Sequence, residues 1–116
     1  MRKDIERLHD ILSSIKNIEK YSGQESNIIQ DEKDRVWFLY HLQIIGEAAA
    51  NLSERIIEQY SEIPWYKIIA MRNYLVHEYF GIDWILVKDT IKRILPDFKI
   101  KIIQIIKEID DEFFEE

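Results

Sequence analysis

The fold of this chain is decided by one stretch, residues 36–50, which reads VWFLYHLQIIGEAAA. Its apolar side chains go nearly all the way round a helix, whereas a surface helix carries them on one face only. We therefore predict a helix over about 31–52 that is either central or shared with a partner chain. The small residues from Gly46 to Ala50 let another helix approach closely. Glu47 among them needs a partner, because an isolated buried carboxylate is unfavourable.

The flanking segments also have helical spacing. Between Ile5 and Ile18 apolar residues recur at steps of three and four, and a polar loop follows to about residue 30. Further on, Pro64 suits a first helical turn, Asp83 suits an N-cap, and Pro96 separates two helices. Two-residue alternation is absent throughout, so we predict an all-α, up-and-down bundle of four to five helices. The main predicted helices cover about 3–20, 31–52, 65–79, 84–95 and 97–113, and a short helix is predicted at 53–60.

Length and composition limit the class of protein. A chain of 116 residues that is 47% hydrophobic and 33% charged suits one folded domain, 1–116. The absence of cysteine excludes a disulfide scaffold, a thiolate metal site and a cysteine nucleophile. The start of the chain lacks the apolar core of a signal peptide, and no apolar run approaches the roughly 18 residues of a membrane span. We expect a cytoplasmic protein with no membrane association.

The net charge of −6 is concentrated at one end of the chain. Residues 107–116 hold six acids and one lysine, so the remainder carries a net charge of only −1. An acidic tail argues against broad, non-specific binding to nucleic-acid duplexes. It is compatible with a local cationic pocket that binds one or two phosphates.

A polar cluster stands out at residues 72–79, which read RNYLVHEY. Arg72 and His77 are five residues apart, about 140° of rotation on an ideal helix, so one helix does not place them on one face. Asn73 and His77 are four apart and share a face, while Arg72 and Tyr79 line up over two turns. A purely structural role is the simplest interpretation. His77 then interacts with the helix dipole and Arg72 pairs with Glu47 or Glu78.

The same side chains also suit the cleavage of RNA, which carries its own nucleophile in the 2′-hydroxyl. Histidine is matched to proton transfer near neutral pH, and the arginine fork fits phosphate oxygens. Neither a metal nor another cofactor is required. The reaction has two proton transfers, and the cluster offers only one histidine per chain. A symmetric dimer would supply two histidines and two arginines, with the apolar second helix as part of its interface.

The spacing Arg72-Asn73-x-x-x-His77-x-Tyr79 resembles the motif of the HEPN superfamily, and is most similar to its HepT-like toxin branch. Three stretches carry this resemblance in the right order: 42–49 (LQIIGEAA), 63–65 (IPW) and 71–83 (MRNYLVHEYFGID). The resemblance covers roughly positions 31–96. One departure is Glu78, where many relatives carry glycine; a carboxylate beside His77 can repel phosphate.

The resemblance implies a metal-independent endoribonuclease that acts as a homodimer, with Arg72 and His77 catalytic at the dimer cleft. It implies that Asn73 supports them. It also implies a type II toxin–antitoxin pair whose antitoxin is a minimal nucleotidyltransferase. That partner transfers AMP from ATP to the motif tyrosine, here Tyr79, and the bulky AMP blocks RNA entry. Glu47 is interpreted as a supporting partner of an arginine in preference to a catalytic acid.

Two alternatives remain open from the sequence. The chain is either a non-catalytic module that binds nucleotide or substrate for a nucleotidyltransferase, or a purely structural bundle. For residues outside the cluster we expect structural roles, with His9 at the surface and His41 in the core or an interface, hydrogen-bonded to a neighbour. No set of residues has convincing metal-ligand spacing. The tryptophans Trp37, Trp65 and Trp84 are expected in the core. The cations Lys88, Lys92 and Arg93 are expected on a solvated face.

Overall fold

The computed structural model describes residues 2–22 and 32–115, and every regular element in these ranges is helical. The all-α prediction is confirmed. Most of the loop predicted after residue 20 lies outside the described residues. The elements are α1 (Arg2–Ser22), α2 (Glu32–Ala50), α3 (Glu54–Gln59), α4 (Trp65–His77), a 3₁₀ turn (Tyr79–Gly81) and α5 (Trp84–Glu115).

The apolar helix α2 is central, as its sequence predicts. It packs against α1 and against α4, while α1 also packs against α5. From α1 come four fully buried residues spaced by three and four, which confirms its one-faced pattern. The buried residues of α2 lie on two sides of the helix because it has neighbours on both. They are Phe38, Leu39, His41, Leu42, Ile45, Gly46, Ala48 and Ala49.

The last helix differs from the prediction. α5 runs unbroken from Trp84 to Glu115 with Pro96 inside it, so the two helices predicted at 84–95 and 97–113 are one. Proline removes one helical hydrogen bond, and the lost partner is the carbonyl of Lys92. Both Pro96 and Lys92 are exposed, so solvent is available to that carbonyl. The buried positions keep helical spacing across the proline: Val87, Ile91, Leu95, Phe98, Ile102 and Ile105.

A buried carboxylate joins the first helix to the start of α3. Asp4 is 4% exposed, and its two oxygens accept hydrogen bonds from the Ser53 backbone N–H at 2.9 Å and from the Ser53 hydroxyl at 2.7 Å. Ser53 is in turn the N-cap of α3, with its Oγ accepting from the Ile56 N–H at 3.4 Å. Residues 49 positions apart are thereby fixed together.

No helix within the described ranges has a stretch long and apolar enough to cross a membrane.

Candidate active site at the end of α4

The cluster predicted from the sequence lies on the last turns of α4 and the 3₁₀ turn that follows. Arg72 faces α2, where it lies directly opposite Gly46. A side chain at position 46 would overlap the Cβ and Cγ of Arg72, so glycine is what allows the two helices to approach this closely. The prediction that the small residues of α2 accommodate another helix is confirmed, and the residue accommodated is Arg72.

The guanidinium of Arg72 is held from two sides. Its Nη2 donates to both carboxylate oxygens of Glu47, with 2.8 Å to Oε2, and its Nη1 donates to the Asn73 Oδ1 at 2.5 Å. Three hydrogen bonds leave two of the five guanidinium N–H donors for a ligand. The pairing predicted for Glu47 is present, although its side chain is 49% exposed and that of Arg72 28%. Asn73 and Glu47 therefore orient Arg72.

His77 is the last residue of α4 and is exposed. Among the described residues, none forms a hydrogen bond or ion pair with its ring, and Arg72 contacts Glu47 and Asn73 instead. The exposed His77 ring is accessible to a ligand.

Tyr79 does not continue the helix, contrary to the predicted boundary at residue 79. α4 ends at His77, and Tyr79 begins the 3₁₀ turn, so the predicted alignment of Arg72 with Tyr79 over two helical turns is wrong. The cause is at Glu78, whose backbone leaves helical geometry at φ −114° and ψ 31°. The Tyr79 side chain is 42% exposed and meets the Phe80 ring edge-on, with centroids 5.2 Å apart.

Two backbone contacts fix the turn that carries Tyr79. The Gly81 N–H donates to the Glu78 carbonyl at 2.8 Å, and the Asp83 N–H donates to the Tyr74 hydroxyl at 2.9 Å. Asp83 also caps α5 through its Oδ1, which accepts from the Leu86 N–H at 3.1 Å, as predicted. The turn is therefore anchored at both ends, to α4 and to α5.

Large apolar side chains are exposed around this site, a feature that sequence reasoning missed. Phe80 is 101% exposed, and four further residues within 76–86 are also exposed. The sequence indicated this exposure, because the adjacent aromatic residues Tyr79 and Phe80 in a turn cannot both reach one core. Exposed apolar residues close together in the sequence, next to the candidate site, make this region a candidate interaction surface. The four are Val76, Tyr79, Ile85 and Leu86.

The remaining histidines and the cations Lys92 and Arg93 follow the structural expectations, whereas Lys88 is half-buried. His41 is buried, its Nδ1 lies 3.2 Å from the Ser14 Oγ, and its ring meets those of Trp37 and Tyr40 edge-on. Burial lowers the pKa of His41 below its usual value of 6.5. His9 is exposed, and Arg93 pairs with Asp89 at 2.9 Å.

Of the three tryptophans, one is a core residue. Trp65 is buried, donates from Nε1 to the Tyr60 carbonyl at 3.0 Å and meets Phe98 edge-on. Trp37 and Trp84 are only partly buried at the edge of the core. Within the described ranges, no group of three or more acidic or histidine side chains is arranged to hold a metal ion.

Comparison with known proteins places the chain in a family. The profile of the family described as "Ribonuclease HepT-like" matches residues 11–105, which include all of the site described above. The chain is 32% identical to "Putative RNase MJ0127" of Methanocaldococcus jannaschii, over 96% of this chain and 94% of that protein. It is 33% identical to "Probable ribonuclease HepT" of Thermococcus cleftensis, over 79% and 86% of the two chains.

A further relative is longer than this chain. "Gamma-glutamylcyclotransferase and putative RNase MJ0434" of Methanocaldococcus jannaschii is 36% identical over 95% of this chain, which spans only 51% of that protein. No solved structure matches the chain.

Proposed function

The chain belongs to the ribonuclease HepT-like family of the HEPN superfamily, and from that premise we propose that it is a metal-independent endoribonuclease with Arg72 and His77 as its catalytic residues. The observation that carries this proposal is the pre-oriented Arg72. Its guanidinium is fixed by Glu47 and Asn73 and keeps two N–H donors for a phosphate, and the exposed His77 follows five residues, or about 1.4 turns, further along α4. A fixed cation and an accessible proton carrier are the groups that suit phosphodiester cleavage.

The proposed reaction uses the RNA 2′-hydroxyl as nucleophile. A histidine takes its proton while O2′ bonds to phosphorus, and the bond from phosphorus to O5′ breaks. The leaving O5′ receives a proton from a second acid, which gives a 2′,3′-cyclic phosphate and a 5′-hydroxyl. Arg72 stabilises the negative charge that builds on the phosphorane oxygens.

The second acid is the reason for proposing a homodimer. Each chain contributes one His77, so two chains that meet at the end of α4 provide both proton carriers. The exposed apolar residues around the site support this, because Phe80 and Ile85 are 101% and 84% exposed in the described part of the single chain. A twofold interface would bury the same residues on each partner.

We propose that regulation acts through Tyr79, in a toxin–antitoxin pair with a minimal nucleotidyltransferase. In that step the Tyr79 Oη attacks the α-phosphorus of ATP, pyrophosphate leaves, and the phenolic proton passes to solvent. The product is O-AMP-tyrosine. Support comes from exposure, since a side chain that is 42% exposed in an anchored turn is accessible to a partner enzyme. Tyr79 lies two residues after His77, so the added phosphate and adenosine would occupy the RNA entrance.

The test is cleavage of single-stranded RNA by purified protein in EDTA. Wild type should produce 2′,3′-cyclic phosphate ends, and His77→Ala should reduce the rate by roughly 100-fold or more. His9→Ala is the matched control, because His9 is also an exposed histidine on a helix and should keep full activity.

Equal cleavage by wild type and His77→Ala would overturn the proposal. Nucleotide binding with no cleavage by either protein would favour the alternative, a substrate-binding partner of a nucleotidyltransferase.

A further inference from the structure

A groove separates α1 from α2 on the side of Glu47 away from the core. It has a volume of about 390 Å³, within the range of about 300–1,000 Å³ that is usual for ligand sites. It extends along α2 from Tyr40 to Asn51, just past the helix end, which is eleven steps or about 16 Å at 1.5 Å per residue. Its shape is therefore long and open, which suits an extended chain better than a compact ligand.

The groove is lined by an aromatic ring, a side-chain amide and a guanidinium. At one end Tyr40 presents an aromatic ring that is 60% exposed. In the middle Gln43 provides a side-chain amide above the apolar wall of Ile44 and Ala48. At the other end Arg7 donates from Nη1 to the Asn51 carbonyl at 2.6 Å, which fixes a guanidinium against α2.

These groups match the parts of a nucleotide chain. An exposed aromatic face stacks with any base, an amide has both a donor and an acceptor for a base edge, and a guanidinium pairs with a phosphate. Arg7 is the one cation among the described residues that line the groove, while Asp10 and Glu47 are acidic. With one cation and two acids, the lining offers a site for one phosphate at Arg7 and repels further phosphates, so it disfavours a densely charged duplex.

The groove is continuous with the candidate active site through one side chain. Glu47 lines the groove, and its carboxylate also accepts the hydrogen bonds from Arg72. A strand that occupies the groove therefore lies one residue away from the guanidinium proposed to bind the scissile phosphate.

From these contacts we propose that the α1–α2 groove is an RNA-binding subsite that holds a short single-stranded segment next to the cleaved bond, with a base stacked on Tyr40 and a phosphate paired with Arg7. This inference rests on the proposed ribonuclease function and adds the place where the substrate is held. It predicts that the enzyme acts on single strands or loops, because stacking on Tyr40 needs an unpaired base.

Binding is tested separately from cleavage, with the full-length chain and 2′-O-methyl tetranucleotides of adenine and of uracil. These probes lack the 2′-hydroxyl nucleophile and cannot be cleaved. Tyr40→Ala should raise the Kd for them about fivefold or more, the effect of removing one stacking platform. Arg7→Gln should weaken binding and reduce the slope of log K against log salt by about 0.7, the contribution of one phosphate on a single strand.

Matched controls come from α4, outside the groove. Tyr66→Ala removes a tyrosine that is 71% exposed, and Lys67→Gln removes an exposed cation. Neither should change the Kd or the salt slope. His77→Ala should bind the tetranucleotides as wild type does, so loss of cleavage and loss of binding are distinguished.

Two results would overturn the subsite. One is a tetranucleotide Kd in Tyr40→Ala and Arg7→Gln that equals the Kd of the two controls. The other is a change of sedimenting mass in Tyr40→Ala, which would show that Tyr40 lies between two copies of the chain. If the tetranucleotides bind through the groove but wild type cleaves no RNA, the subsite stands and the ribonuclease proposal fails.

Discussion

At the scale of single residues, the candidate site depends on the orientation of the Arg72 side chain. Its backbone belongs to α4, but its guanidinium contacts Glu47 of α2. That direction follows from Gly46, which leaves room for the first two carbons of the arginine side chain. A glycine in the middle of a helix is destabilising by about 0.5–1 kcal/mol relative to alanine. Here the glycine is explained by the approach of Arg72.

Gly46→Ala should therefore damage both stability and activity. The new methyl group overlaps the Cβ and Cγ of Arg72, and forcing extra volume into packed helices costs about 1–3 kcal/mol in the free energy of unfolding. Urea denaturation and the kcat for RNA measure the two effects. Gly81→Ala is the matched control, since its Cβ would meet only the Glu78 Oε2 at 3.7 Å, an ordinary contact. Comparable losses in the two variants would contradict this account.

Glu47→Gln distinguishes a supporting carboxylate from a catalytic one. Glutamine keeps a hydrogen bond to Arg72 but removes the negative charge that competes with phosphate. We expect the KM for RNA to fall by about threefold, with kcat changed by less than tenfold, because an exposed ion pair is worth about 0–1 kcal/mol. A general acid or base would instead contribute 10²–10⁴-fold to kcat. Steady-state kinetics decide, and a drop in kcat of about 100-fold would make Glu47 catalytic.

Much of this residue-scale arrangement could be predicted from the sequence, and part of it could not. Arg72 and His77 stand out because few other chemistries need that pair, and helix geometry already separates the two. Glu47 was a candidate partner for Arg72 because a carboxylate among small residues needs one. The groove residues Arg7 and Tyr40 gave no signal, since their proximity depends on how α1 packs against α2.

At the scale of elements, boundaries were harder to predict than periodicity. Pro96 is a strong local break, yet buried residues continue on one face of α5 from Val87 to Ile106. Tertiary burial on both sides of the proline outweighs one missing hydrogen bond. The end of α4 was misplaced for the opposite reason, because the helix was predicted to continue to Tyr79 while the backbone already turns at Glu78.

The link between α1 and α3 gives an element-scale prediction. Asp4→Ala leaves the Ser53 N–H and hydroxyl without their buried acceptor, which should lower the free energy of unfolding by about 1–3 kcal/mol. Asp10→Ala is the matched control for stability, because Asp10 is exposed on the same helix. Chemical denaturation at neutral pH measures both. Equal stability of the two variants would show that the buried carboxylate does not hold these elements together.

At the scale of the whole molecule, His41 makes folding stability depend on pH. Burial lowers its pKa in the folded chain, whereas the unfolded chain keeps the usual value near 6.5. Above pH 6.5 both forms are neutral and stability is full. As the pH falls through 6.5, His41 becomes protonated in the unfolded chain but stays neutral in the folded chain. The free energy of unfolding therefore falls by up to about 1.4 kcal/mol per pH unit.

Replacing His41 should remove that component. In His41→Gln, the free energy of unfolding should change less between pH 7 and pH 5 than in wild type. The two slopes should differ by at most the uptake of one proton, about 1.4 kcal/mol per pH unit. Exposed His9→Gln should keep the wild-type slope. Urea titrations at a series of pH values give the slopes, and identical slopes in all three proteins would show that His41 titrates normally in the fold.

The proposed twofold site also predicts how mixed molecules behave. If one cleft uses a His77 from each of two chains, a dimer with one wild-type and one His77→Ala subunit lacks a proton carrier and is inactive. Random pairing of equal amounts leaves only about a quarter of the dimers fully wild type. Co-refolded mixtures should therefore retain about a quarter of the activity of an equal concentration of wild-type protein, and His9→Ala mixtures should retain all of it.

Chains that act singly would retain about half instead, because each wild-type subunit would work regardless of its partner. The two outcomes differ by twofold, which a cleavage assay resolves. The exposed Phe80 provides the complementary measurement. Phe80→Ser should reduce the sedimenting mass to that of one chain and abolish activity with His77 intact, whereas Ile100→Ser, 64% exposed on α5, should change neither. An active monomer would place both proton transfers within a single chain.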